Sequence, residues 1–182
     1  MGDPTAYRTL EDLHAAFATL PVPPRSAGRV ALLVRRGSGG VREAPLAIRL
    51  TVGGGVPGDS WGRQSAPNPE MQIAVMQMGV AEMVANGQSP LLFGDSLFLD
   101  LDLSVANLPS GSRLRIGDAL LEVTPMPHNG CRKFRGRFGG DALRFVSEPP
   151  LRDRRLRGIY MRVVADGEVT CGDAVEVLSR AE

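Results

Sequence analysis

Six short runs in this chain, RVALLVRR, LAIRLTV, RLRI, LLEVT, GIYMRVV and AVEVL, alternate apolar with polar residues or concentrate β-branched ones, with Gly, Pro, Asp and Ser between them. A period of two sends successive side chains to opposite faces of a strand, so each run has one face to bury and two edges to pair. Short strands in this number, punctuated by turns, satisfy both needs as a mostly antiparallel sheet curled into a barrel, which makes the expected class mainly β with a few short helices. At 182 residues, 43% hydrophobic and 23% charged, the chain suits one soluble globular domain with a sizeable core. No apolar run approaches the ~20 residues of a membrane span, so no membrane partner is expected.

Two segments change period. In TLEDLHAAFATL, residues 9–20, Thr9 and Asp12 form a near capping box, and Leu10, Leu13, Phe17 and Leu20 recur at helical spacing until PVPPRSAG ends the helix. MGVAEMVANG, residues 78–87, reads as a second helix stopped at Gly87, its methionines serving as core filler. The expected organisation is an N-terminal helical arm over residues 1–26 and a barrel domain over 27–180. Long loops are expected over residues 53–70 and 125–156, and loops of such length in a compact domain tend to carry function.

Net charge is +1, so no global field recruits nucleic acid. Locally the balance differs: Arg132, Lys133, Arg135, Arg137, Arg144, Arg152, Arg154, Arg155, Arg157 and Arg162 face only Asp141, Glu148 and Asp153 in the same segment. An RNA-gripping module needs stacking platforms as well as charge, and one tryptophan supplies few. The start, MGDPTAYRTLEDLHAAF, lacks the basic residues and continuous apolar stretch of an export signal, so the cytoplasm is the expected compartment. Two cysteines there are expected as free thiols.

The residues with chemical potential gather in TPMPHNGCRKFRGRFGG. Cys131 follows Asn129-Gly130, a pair suited to a sharp turn, and is followed by Arg132 and Lys133, whose charge favours the thiolate as nucleophile or metal ligand. An incidental exposed cysteine is the competing reading. Cys171, at a turn in EVTCGDAVEVL, reads as structural. A zinc site of His128, Cys131 and Cys171 lacks a fourth ligand and the paired spacing such sites use. His128 reads as a turn-stabilising or ligand-contacting residue more readily than as a base for Cys131, because neighbours on a tight turn rarely aim at each other. The glycine runs SGG and VGGGVPGDSWG match neither phosphate-loop pattern, and Asp59, Trp61 and Arg63 read as residues of a cavity mouth. Lys133 is the only lysine, which makes the chain a poor host for pyridoxal phosphate on its own.

The order PGDSWGR, LFGDSLFLDLDL, LPSGSRLRIGDALLEVT, a Gly-Cys-Arg-Lys-Phe turn and LRGIYMRVVADGEVTCGDAVEVL resembles the MOSC domain, the module named after the C-terminal part of molybdenum cofactor sulfurase. The resemblance spans residues 27–178 and is most specific from Leu108 onward. It implies a pyruvate-kinase-like β-barrel with an open pocket, and a cysteine, matched by Cys131, that ligates molybdenum or carries sulfur as a persulfide. Under it Arg132, Lys133, Arg135 and Arg157 would bind the phosphate of the pterin, and Asp59, Asp95, His128 and Asn129 would line the pocket. Two departures point to a divergent subfamily: Gly94-Asp95-Ser96-Leu97-Phe98 stands where the family commonly has Gly-Glu-Asn-Leu-Thr, and His128-Asn129-Gly130 precedes the cysteine in place of the more frequent proline.

The resemblance implies a stand-alone protein that binds the molybdenum cofactor through Cys131 and acts as an oxidoreductase on a small molecule, for example reducing an N-hydroxylated compound. The alternative is a sulfur carrier with a persulfide on the same cysteine. Relatives fused to a pyridoxal-dependent desulfurase or a ferredoxin domain exist, and a chain of this length and cysteine content is expected to depend on a separate electron-donor or sulfur-donor protein.

Overall fold

The computed structural model describes residues 1–181. Its strands are β1 (Ala27–Leu33), β2 (Arg35–Arg36), β3 (Arg42–Glu43), β4 (Ala47–Leu50), β5 (Ile73–Gln77), β6 (Leu97–Asp100), β7 (Arg113–Ile116), β8 (Ala119–Val123), β9 (Ile159–Ala165), β10 (Gly167–Thr170) and β11 (Ala174–Ser179). Seven of them close into a barrel in the order β1-β11-β7-β8-β9-β5-β6, while β10 pairs with β4 and β2 with β3 as two-stranded ribbons. Closure leaves the barrel itself no open edge. The alternation predicts the inward set: Leu114, Ile116, Leu121, Val123, Met161 and Val163 are buried and meet in one core with Val30, Leu33, Leu97 and Leu99.

Two barrel strands escape the period-two reading. In β5 the residues Ile73, Ala74, Val75 and Met76 are all buried, as are Leu97, Phe98 and Leu99 in β6, because helices cover the outer face that water covers elsewhere. A strand buried on both sides loses its alternation, and these two also form the one parallel pair of the barrel.

Helix α1 (Leu10–Ala18) carries the full capping box, Thr9 accepting from the Asp12 N–H and Asp12 from that of Thr9. It packs on α2 (Met78–Ala85) and on a later helix of its own chain, so the arm covers its own barrel. Helix α2 ends where Asn86, at φ 46°, turns left-handed and donates to Glu82 O. Met76 and Met83 are buried in the second core, as filler should be.

The segment expected as one long loop, residues 125–156, is a correction. Only its first part is irregular; α3 (Arg132–Phe138), α4 (Gly140–Val146) and a 3-10 turn (Pro149–Arg154) follow. Gly136, Gly139, Gly140, four arginines and Lys133 mask a face made by Phe134, Phe138, Ala142, Phe145 and Val146, all buried in one core with Leu13, Val80 and Phe93. Tertiary burial overrides weak helix propensity here.

Candidate functional site

After β8 the chain is pinned by Thr124, whose N–H donates to Tyr160 O at 3.0 Å and whose hydroxyl donates to Glu70 O at 2.7 Å. It then runs irregularly to Cys131, which is the N-cap residue of α3 and is exposed. Phe138 stacks on Phe93 with ring centroids 4.1 Å apart and Phe134 tilts against the same ring at 5.9 Å, which fixes the roll of α3. That roll presents Cys131, Lys133 and Arg137 to a cleft of about 830 Å³. The β2–β3 hairpin with its Gly37 to Gly40 turn, Ala74 and Tyr160 line the same cleft.

Six cationic side chains line the cleft, Arg36, Arg42, Arg63, Lys133, Arg137 and Arg157, and no carboxylate does. The two relevant carboxylates stand behind the wall. Asp59, 2% exposed, accepts both Nε and Nη2 of Arg36 (2.6 Å at the shortest) and the N–H groups of Arg36 and Trp61. Burial works to raise Asp59, but the hydrogen bonds and charge of Arg36 outweigh it and hold the carboxyl below its usual range. Asp95, fully buried, accepts Arg157 Nη1 at 2.8 Å. Each carboxylate thus fixes one arginine at the wall and cancels its charge. Arg42, Arg63, Lys133 and Arg137 have no carboxylate partner among the described residues.

Three of the guanidinium-bearing chains converge at Gly94: a Cβ placed there would lie 3.6 Å from Arg137 Nη1 and 3.9 Å from both Arg36 Cδ and Arg42 Nε. Arg36 donates to Gly94 O and Arg137 to Leu92 O, so the backbone positions them without neutralising them. Burial and the like charge of Arg42 lower Arg137, with Cys131 pulling the other way. The Nε atoms of Arg42 and Arg157 are buried without any acceptor. An unpaired buried donor costs about 1–3 kcal/mol, which an anionic ligand would recover.

His128 is 6% exposed at its side chain, lies 4.3 Å from the Tyr160 ring and has Nδ1 3.5 Å from Asp95. Burial lowers it to about 3; Asp95 opposes this, and Arg157 and Arg36 add to it. The imidazole is therefore neutral at ordinary pH. Burial and Asp95 raise Tyr160, keeping its phenol protonated. Gly158 makes this packing possible: at φ 101°, a Cβ would fall 2.1 Å from Val75 O and 3.2 Å from His128 Nδ1. His128 and Asn129 line both this cleft and a neighbouring one of about 640 Å³.

The residues singled out in the sequence thus divide. Cys131, Lys133, Arg157, His128, Asn129 and Arg63 meet at the cleft; Asp59, Asp95 and Trp61 are buried behind it; Arg132 and Arg135 are exposed and do not line it. Arg36, Arg42 and Arg137 were not singled out as site residues. Lys133 and Arg137 lie four residues apart, one helical turn, a signal available once α3 is recognised. Arg36 and Arg42 flank the Ser38-Gly39-Gly40 turn, which matches no phosphate-loop pattern and works by bringing arginines together instead. Cys171 packs at the barrel core, its sulfur 3.9 Å from Pro45 O. No group of three or more His, Cys, Asp or Glu able to hold a metal occurs among the described residues.

The fold is shared with solved structures of low sequence identity. YuaD from Bacillus subtilis, 19% identical, aligns over 86% of this chain and 98% of its own with a TM-score of 0.57. YiiM from Escherichia coli, 22% identical, aligns over 83% and 71% at 0.53, and a hypothetical protein, 20% identical, over 86% and 71% at 0.65. No curated protein matches by sequence. The MOSC domain model matches residues 71–176, a stretch holding Asp95, His128, Cys131, Lys133, Arg137 and Arg157. With more than half its length matched and the barrel closed around that stretch, the chain belongs to the MOSC domain family.

Proposed function

We propose that the cleft binds the molybdenum cofactor, with Cys131 as the only protein ligand to the metal, and that the protein is an oxidoreductase acting on a small molecule such as an N-hydroxylated compound. The observation that carries this reading is the exposed Cys131 thiol on a cleft lined by six cations and no carboxylate. The donor set fits the group. A phosphate ester suits the three arginines at Gly94 and offers acceptors to the unpaired Nε of Arg42, and a soft thiolate suits molybdenum. A bare ion does not fit, since no group of three or more ligating side chains occurs among the described residues, so the metal would arrive within a larger anionic group.

In this reading Asp59 orients Arg36 and Asp95 orients Arg157, so that the arginines meet the phosphate without rearranging. Phe93, Phe134 and Tyr160 give the flat ring system an apolar wall that excludes water. When bound, the cofactor supplies two-electron redox chemistry, with electrons delivered by a separate protein. A second reading makes Cys131 a carrier of sulfane sulfur; its exposure on the cleft favours it.

The test is the molybdenum and releasable pterin per chain in protein from a cofactor-competent host, beside Cys131→Ser. Near-stoichiometric metal in the wild type and none in the variant is expected. No metal in either, with a persulfide on Cys131 after treatment with a cysteine desulfurase and cysteine, moves the assignment to sulfur carriage.

A further inference from the structure

The charge at the cleft exceeds what one bound phosphate needs. Of the six cations, Arg36 and Arg157 are cancelled by Asp59 and Asp95. A phosphate dianion seated among the arginines at Gly94 would take up Arg42 and Arg137. Lys133 and Arg63 are left over. Arg63 keeps its charge but is held in place by the carbonyls of Gly58 and Arg36, whereas Lys133 lines the cleft two residues beyond Cys131, is exposed, and has no carboxylate within ion-pair distance among the described residues. An ammonium on the cleft that also holds Cys131, with no carboxylate partner among the described residues, is a specificity element for what enters that cleft.

We propose that the reactant meeting Cys131 is a small anion, its carboxylate or phosphate group held by Lys133. The inference rests on the reading of Cys131 as the reacting centre and adds the substrate class to it. Neutral molecules gain nothing from the field, whereas an anion is concentrated at the cleft and oriented with its charged end on Lys133 and its reactive end toward the centre that Cys131 holds or carries. Small carboxylates that carry an N-hydroxyl group, or sulfur compounds with an anionic tail, belong to this class.

The field can be read without the cofactor. In a Cys171→Ser background, made in a host unable to synthesise the cofactor, Cys131 is the only thiol, and its alkylation by iodoacetate and by iodoacetamide can be timed separately. Both reagents consume the thiolate, so the ratio of the two rates cancels its abundance and reports only the charge the reagent meets. The expected ratio is about tenfold above that of N-acetylcysteine, falling several-fold as salt rises from about 20 mM to about 500 mM. Lys133→Gln should lower the excess by about twofold or more, the remainder coming from Arg42, Arg63 and Arg137, which carry their charge in the cofactor-free protein.

A ratio equal to that of N-acetylcysteine overturns the inference, and a raised ratio unchanged in Lys133→Gln overturns the assignment to Lys133. Failure of the cofactor reading is separate: an iodoacetate preference in a protein that never retains molybdenum leaves an anion-selective thiol site and removes only the metal. Retained molybdenum without the preference removes only the anionic substrate.

Discussion

Lowering the pH from about 7.5 to about 5 should destabilise the wild-type protein through one residue, His128. Its ring is 6% exposed, faces Asp95 at 3.5 Å, lies against Tyr160 and stands near the charges of Arg157 and Arg36. Asp95 already serves Arg157, so a proton on His128 would gain part of a shared carboxylate and lose its hydration. The folded ring accordingly holds its proton only near pH 3, against 6.5 for an ordinary histidine. Between these values the unfolded state binds the extra proton, so stability falls as pH falls, by about 1.4 kcal/mol per pH unit. At pH 5 the loss is about 2 kcal/mol, set by the unfolded value because the folded ring there is nearly proton-free. Asp59, also lowered, contributes in the same direction, but only below about pH 4, where its unfolded carboxylate begins to protonate. The assay is urea unfolding followed by fluorescence of Trp61, the sole tryptophan and a buried one, for wild type and His128→Gln at both pH values. The glutamine variant starts less stable, having lost the contact with Tyr160, but its loss between the two pH values should be about 2 kcal/mol smaller than that of the wild type. All other groups, including His14 beside Glu148, are common to both proteins and cancel. Equal losses in the two proteins would mean that the buried ring accepts its proton at pH 5, and the account of the His128 environment would be wrong.

Two further substitutions probe the scaffold of the site. Arg157→Ala leaves the fully buried Asp95 without its cation and should cost about 3–5 kcal/mol in urea unfolding at neutral pH, whereas Arg157→Ala combined with Asp95→Ala should recover part of that loss, because no buried charge remains. Gly139→Ala should cost about 1–3 kcal/mol by thermal unfolding, since Gly139 sits at φ 95° with the Tyr7 ring 2.9 Å from where the Cβ would be; full wild-type stability would show that the junction of α3 and α4 is not held by the N-terminal arm.

Alternating runs such as RLRI and LLEVT reveal barrel strands because one face meets the core and the other meets water. Ile73–Gln77 and Leu97–Asp100 hide because α2 and α3 cover their outer faces, so a strand legible only by alternation vanishes where the site is built. The same covering explains the cleft. Cys131 and Lys133 are visible in a row of residues, but the partners that give them a field come from distant elements: Arg36 and Arg42 from a hairpin some 90 residues earlier, Asp59 and Asp95 from behind the wall. The resemblance to the MOSC domain implies Arg132 and Arg135 as phosphate-binding residues with Lys133 and Arg157; the roll of α3, fixed by Phe134 and Phe138 on Phe93, exposes Arg132 and Arg135 outside the cleft and turns Lys133 and Arg137 into it. Which cations of α3 face the cleft is decided by where three phenylalanines stack. Charge near a cysteine in sequence therefore locates the candidate residue, while the buried aromatic face of the helix that carries it selects which cations share its cleft.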